Sequence, residues 1–185
     1  KANKNVYCEK PLCLTLEELN EIRKAYDEAE GELFCGLNRR HAPLIKQLKK
    51  ELKTDQIPAV YDFIGNAGFI PKDHWVHDEE AGGGRILGEA CHFVDLIQYL
   101  DGSELQELRV TAAENNAYPM NDFIRLRKYG NTNPVKEKLN QDKGIKAEYE
   151  YICSVLKGEA KNDTIADAFR GQELLIRAMQ TVKGK

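Results

Sequence analysis

The sequence predicts an α/β fold, and three stretches predict it. Asn5 to Cys8 is a short β-prone run, Thr15 opens a punctuated helix, and Glu32 to Leu37 reads as the next strand, which gives one β-α-β unit. Further on, Gly82-Gly83-Gly84 precedes a helix that carries Glu89, His92 and Asp95 within two turns.

Each element follows from local chemistry. Thr15 with Glu18 three residues later is a capping box, Leu16, Leu19, Ile22 and Ala29 keep helical spacing, and Gly31 supplies a stop. After the strand, Asn38-Arg39-Arg40 lies at its carboxyl end, and Pro43 starts a helix to Leu52, because proline is favoured at a first helical position. Ala59 to Ile64 has strand character, and 65–84 is a long loop of the length that compact domains keep for function. The helix bearing His92 ends near Asp101-Gly102. Leu105 to Ala113 alternates like a strand, Glu114 to Asp122 is short and polar, and Phe123 to Tyr129 is one more strand candidate. Gly144 to Leu156, with Ala147, Ile152, Val155 and Leu156 inside, and Asn162 to Met179, with Ile165, Ala168, Phe169, Leu175 and Ile176 inside, close the core as helices.

Composition excludes some classes. At 185 residues, 42% hydrophobic and 31% charged, the chain has the usage of a globular protein with one substantial core. A net charge of -3 without a basic, aromatic-interleaved stripe argues against a nucleic-acid binder, and the basic run from Lys46 to Lys53 reads as a solvated helix face. Five scattered cysteines, Cys8, Cys13, Cys35, Cys91 and Cys153, fit reduced thiols, hence a cytoplasmic protein. No apolar run is long enough for a membrane.

Two segments carry chemistry. Residues three or four apart share a helix face, so Gly88, His92, Asp95 and Tyr99 form one polar stripe beside a glycine turn and a helix N-terminus suited to anions. Lys10 stands in Glu9-Lys10-Pro11 at the carboxyl end of the first strand, where open α/β sheets bind ligands. Pro11 keeps Lys10 extended and fixes its exit direction. Trp75, the one tryptophan, sits with Asp73 and His74 in the long loop as an apolar anchor able to stack on a sugar or cover a nicotinamide, or else to pin the loop into the core. His74, His77, Cys91 and His92 raise a metal reading, but the spacing offers no second ligand pair, and no metal is expected.

The order strand, E-K-P, helix, strand, G-x-N-R-R, loop with D-H-W, then G-G-G and H-x-x-D resembles the glucose-fructose oxidoreductase, inositol dehydrogenase and MocA family from Asn5 to about Leu100. The resemblance implies an NAD(P)-dependent oxidoreductase with a Rossmann domain and a second domain whose open, mostly antiparallel sheet covers the active site. It implies that Lys10 reaches nicotinamide and reacting hydroxyl and that His92 is the acid/base. R-I-L-G-E-A-C-H-F-V-D looks closest to members of surface-polysaccharide and nucleotide-sugar metabolism. Two departures stand out. Gly88 occupies the position of a frequent aspartate, with Glu89 next to it as the displaced carboxylate, and no G-x-G-x-x-G fingerprint occurs. The expectation is therefore a remnant of the dinucleotide-binding domain over 1–40 and a substrate and oligomerisation domain over 41–185, with strands missing near 114–123. Such a fragment alone would be inactive.

The expected chemistry is hydride transfer between a sugar or nucleotide-sugar secondary alcohol and NAD or NADP. Lys10, His92 and Glu89 are the expected catalytic residues. Glu9, Lys10, Pro11 and Asn38 would touch cofactor, while Arg39, Arg40, Asp73, His74, Trp75, Arg85 and Asp95 would touch substrate, the arginines suiting a diphosphate or carboxylate. Asp95 could orient the His92 ring. A homodimer or homotetramer is expected. A non-catalytic binding protein of the same fold and a metal-dependent lyase or hydrolase are the alternatives.

Overall fold

The computed structural model describes residues 3–55, 61–63, 71, 73–75, 78, 81–102 and 142–183, with the backbone alone at 53–55, 85, 182 and 183. Its elements are β1 (Val6–Cys8), α1 (Leu16–Asp27), β2 (Leu33–Cys35), a 3-10 turn (Asn38–His41), α2 (Pro43–Asp55), α3 (Gly84–Asp101), α4 (Ile145–Leu156) and α5 (Ile165–Lys183). β1 and β2 pair in parallel, Val6 opposite Leu33 and Cys8 opposite Cys35, with α1 as the crossover. That is the β-α-β unit expected from the sequence. The strand candidates at 105–113 and 123–129, and the suspected gap near 114–123, lie outside the described residues, and so does the antiparallel sheet built on them. Of 59–64 only 61–63 are described, and they form no strand.

Thr15 caps α1 as expected. Its hydroxyl accepts from the Glu18 N–H at 3.2 Å, and the Glu18 carboxylate accepts from the Thr15 and Leu14 N–H groups at 3.0 and 2.9 Å. Such caps contribute about 1 kcal/mol each. The helix ends at Asp27, before Gly31, so the glycine serves a different purpose from a stop. A Cβ on Gly31 would lie 2.4 Å from the Lys4 carbonyl oxygen, so this residue lets the chain entering β2 pass the chain entering β1.

One core cluster joins Leu12, Cys13 and Leu19 to Leu33, Leu37, Leu87, Val94, Phe169 and Leu175, so the β-α-β unit is packed directly on α3 and α5. Gly171 of α5 lets those two helices approach, since a Cβ there would meet Gln98 Nε2 at 3.0 Å and Val94 Cγ1 at 3.1 Å. The five apolar residues assigned to the inside of α5 are buried. On α4, Ile152 and Val155 are buried, but Leu156 is exposed, because the helix ends there and the last turn passes the edge of its Phe34-centred cluster. All five cysteines are free thiols. Among the described residues no helix is long and apolar enough to cross a membrane.

Candidate active site

The Glu9-Lys10-Pro11 turn leaves β1 through a cis Lys10–Pro11 bond, and the chain then dives into the core at Leu12 and Cys13. Gln172 of α5 holds it there by donating to the Cys13 carbonyl at 2.7 Å. With both sides of the turn anchored, the Lys10 side chain has one direction left, over α3. Its ammonium donates to the Gly88 carbonyl at 2.7 Å and to Glu89 Oε1 at 3.0 Å. Two of its three donors are thereby engaged among the described residues. Glu89 Oε2 accepts from Arg39 Nη2 at 3.2 Å. Arg39 also lies over the Phe93 ring, 4.9 Å from its centroid. Glu89 thus joins Lys10 and Arg39, two cations that follow the carboxyl ends of the neighbouring parallel strands β1 and β2.

The α3 N-terminus explains the triple glycine in part. Gly83 has φ 64°, and a Cβ on it would meet Leu14 Cδ2 at 2.5 Å, so this position favours glycine for both backbone and packing reasons. At Gly88, by contrast, a Cβ would meet nothing within 4 Å. A side chain would have room at this position, where the family resemblance leads one to expect an aspartate.

His92 is 5% exposed, and its Nδ1 has no hydrogen-bond partner among the described residues. Burial, then the positive charges of Arg39, Lys10 and Lys143, push its pKa down to about 3. The imidazole is therefore neutral across the ordinary pH range, with a polar atom left for a ligand. Buried polar atoms without partners are rare enough in folded proteins to point to function.

The expected polar stripe of α3 does not face solvent. Asp95 is 2% exposed and is taken by Arg40, whose Nε donates to Asp95 Oδ2 at 3.0 Å and whose Nη2 pairs with Asp95 Oδ1. Arg40 Nη2 also reaches Asp167 Oδ2 of α5 at 3.2 Å. Arg40 and Asp95 thus tie the 3-10 turn, α3 and α5 together inside the protein, where burying either charge requires the other. This engagement, rather than contact with the His92 ring, accounts for Asp95.

The remaining expected residues are dispersed. Glu9 is exposed and accepts from the Tyr7 hydroxyl at 3.4 Å. Asn38 donates through Nδ2 to the Lys143 carbonyl at 3.0 Å. Asp73, His74 and Trp75 are exposed, Trp75 to 63%, so the tryptophan does not pin its loop into the core. Its ring lies 5.6 Å from that of His74. The Arg85 side chain and His77 lie outside the described residues. Among the described residues no group of three or more His, Cys, Asp or Glu is arranged to hold a metal ion.

Two titratable residues near the site escaped the sequence reading. Lys143 is brought beside the 3-10 turn by Asn38, and the signal for it was Gly144, the small residue just ahead of a helix. Glu148 of α4 is 4% exposed, and burial, Glu9 and Asp95 raise its pKa to about 7, partly offset by the Tyr7 hydroxyl. A charged residue inside a helical apolar pattern was its only trace.

No family model matches the chain. It is 31% identical over 110 residues to myo-inositol 2-dehydrogenase of Thermotoga maritima, a match covering 58% of this chain and 32% of that one. The chain spans about a third of the length of the curated relatives it matches. Its fold is similar to that of GenD2 from gentamicin A biosynthesis, solved in complex with NAD, with TM-score 0.67 and 18% identity over 100% of this chain and 71% of that one. It is similar also to the WlbA dehydrogenase from Thermus thermophilus in complex with NAD and UDP-GlcNAcA, with TM-score 0.61 and 20% identity over 96% of this chain and 64% of that one. Its sequence relatives thus include inositol 2-dehydrogenases and the rhizopine catabolism protein MocA of Rhizobium meliloti, and the chain is similar to these proteins over the third of their length that it spans.

Proposed function

We propose that the intact protein oxidises a secondary alcohol on a sugar or nucleotide-sugar, or reduces the matching ketone, with NAD or NADP as the hydride carrier. The observation that carries this reading is His92, a buried neutral imidazole whose Nδ1 has no partner among the described residues, beside the Lys10–Glu89–Arg39 cluster. An alcohol can lose hydride from carbon only as its hydroxyl proton leaves, so a base must stand within hydrogen-bond reach. A neutral imidazole can accept that proton. Lys10 holds its ammonium next to the same helix and stabilises negative charge growing on the alcohol oxygen.

The dinucleotide supplies hydride transfer when bound. Glu9, Lys10, Pro11 and Asn38 stand on the turns that leave β1 and β2, the side where sheets of this kind take nucleotides, and are assigned to it. Residues 1–40 are assigned to the dinucleotide-binding part and 41–185 to the substrate and self-association part, in a cytoplasmic homodimer or homotetramer. Arg39, Asp73, His74, Trp75 and Arg85 are assigned to substrate. Arg40 and Asp95 act at one remove, by fixing the 3-10 turn against α3.

A non-catalytic reading draws on one observation. Glu89, the carboxylate beside the empty Gly88 position, holds Lys10 and Arg39, while the charges acting on His92 are cations that weaken it as a base. Turnover decides between the two. The intact protein should reduce NAD or NADP with a sugar or nucleotide-sugar alcohol, followed by nucleotide absorbance, and His92→Ala should slow the reaction by about 10²- to 10⁴-fold. Saturable dinucleotide binding without turnover on any such alcohol would favour the non-catalytic reading.

A further inference from the structure

We propose that Gly88 is a specificity-determining residue of this site, and that the space beside it receives a substituent larger than a hydroxyl on a ring carbon next to the one that reacts. The proposal rests on the dehydrogenase reading for its substrate being a sugar.

Glycine is unfavourable at this position. Gly88 lies in the second turn of α3, inside a helix, where glycine weakens the fold relative to alanine. The glycines around it have structural reasons to stand where they do. Gly83 has φ 64° and would press a Cβ into Leu14 Cδ2 at 2.5 Å, and Gly171, facing α3 from α5, would press one into Gln98 Nε2 at 3.0 Å. Gly88 has neither a left-handed backbone nor a neighbour to avoid, for a Cβ on it would meet nothing within 4 Å among the described residues. The residue is nevertheless buried. A buried backbone with open space beside it forms a niche.

The niche adjoins the groups assigned to the reaction. The Gly88 carbonyl accepts from Lys10 Nζ at 2.7 Å, and the same ammonium meets Glu89 Oε1 at 3.0 Å. His92 stands one turn later on the same helix face, about 5–6 Å away between Cβ positions. Helical side chains lean back toward the N-terminus, which directs its ring over the turn that contains Gly88. The ring does not fill the niche, and its buried Nδ1 has no partner among the described residues. A sugar whose reacting hydroxyl stands at His92 therefore presents a neighbouring ring carbon to Gly88. A hydroxyl on that carbon leaves the space empty, whereas a larger substituent fills it and gains dispersion contacts. Alanine at this position would favour the helix and take the place of that substituent.

The test is calorimetric binding to the intact protein in the presence of NAD, with matched sugars: D-glucose against N-acetyl-D-glucosamine and 3-O-methyl-D-glucose, and UDP-glucose against UDP-N-acetyl-D-glucosamine. The substituted member of at least one pair should bind about tenfold more tightly, the effect of a small group in a fitted pocket. Gly88→Ala should reduce that ratio about threefold or more, and Gly88→Val should bring it to about one or below. Thermal unfolding is the control: Gly88→Ala should raise the midpoint, because the space is open and alanine favours the helix. A lowered midpoint, substituted sugars that bind no more tightly than their parents, no binding by any of these sugars, or a preference that survives both variants would each overturn the proposal. Loss of turnover in His92→Ala together with any of those results leaves the dehydrogenase reading standing. A Gly88-dependent preference in a protein that never reduces the dinucleotide overturns that reading and keeps the niche.

Discussion

Lys10 and Glu89 are separated by 79 positions in the chain and meet at 3.0 Å, where Glu89 also receives Arg39 at 3.2 Å. Glu89 is a third exposed, so the pair holds geometry more than it stabilises the fold, and exposed pairs of this kind contribute about 0–1 kcal/mol. Glu89→Gln should leave the denaturation midpoint nearly unchanged and lower kcat about tenfold, because the Lys10 ammonium loses its anchor. The acid limb of the pH–rate profile should stay in place, since Glu89 is not among the charges that set His92. A moved limb with unchanged kcat would reverse the roles given to Glu89.

The depressed His92 sets a pH signature. With its pKa near 3, the ring is already in the proton-accepting form at pH 5, so kcat/KM should show no histidine limb between pH 5 and 8. Lys143→Ala removes one of the cations responsible and should move the His92 titration, read by NMR, upward. A titration near pH 6.5 in the folded protein would contradict the burial and charge argument.

Stability should respond to pH through three buried groups. The unfolded chain protonates His41 and His92 below about pH 6.5, while the folded chain resists until about pH 4 and 3, so both raise stability as pH climbs through that window. Glu148 opposes them. Folded, it keeps its proton up to about pH 7, whereas unfolded it releases it near pH 4.5, so its contribution is lost as pH rises between those values. In Glu148→Gln the opposing contribution disappears, and stability by urea denaturation should climb more steeply between pH 5 and 6.5, by about 1.4 kcal/mol per pH unit. Parallel curves for the two proteins would contradict the protonated state of Glu148.

The β-α-β unit was legible because its signals are local. The Thr15–Glu18 capping box, the Glu9-Lys10-Pro11 turn and the β-prone runs act within a few residues; the capping box lands at its expected residues and each strand boundary within two of its expected place. The helix carrying His92 was legible for the same reason. Side-chain partners were not, because they depend on which elements meet. Helical spacing puts Asp95 on the His92 face, but it cannot show that Arg40 arrives from the 3-10 turn to claim it. Gly31 looked like a helix stop, and its real constraint is the Lys4 carbonyl from a separate strand. Lys143 and Glu148 left only faint traces, a glycine ahead of a helix and a charge inside an apolar pattern, because no motif marks which turn or helix lies against another.

Arg40 should prove expensive to remove. Arg40→Ala leaves Asp95 buried at 2% exposure without its cation, the situation that costs about 3–5 kcal/mol in other buried pairs. Chemical denaturation should show that loss, and the double variant Arg40→Met with Asp95→Leu should recover most of it. Losses of comparable size in the single and double variants would mean that packing, rather than the charge pair, dominates there.

The central claim is that His92 takes the substrate proton, and steady-state turnover of His92→Ala in the intact protein tests it most directly. With circular dichroism confirming the fold and dinucleotide affinity measured in parallel, kcat should fall by about 10²- to 10⁴-fold while cofactor affinity stays near the parent value. Turnover within a few-fold of the parent protein would contradict the account.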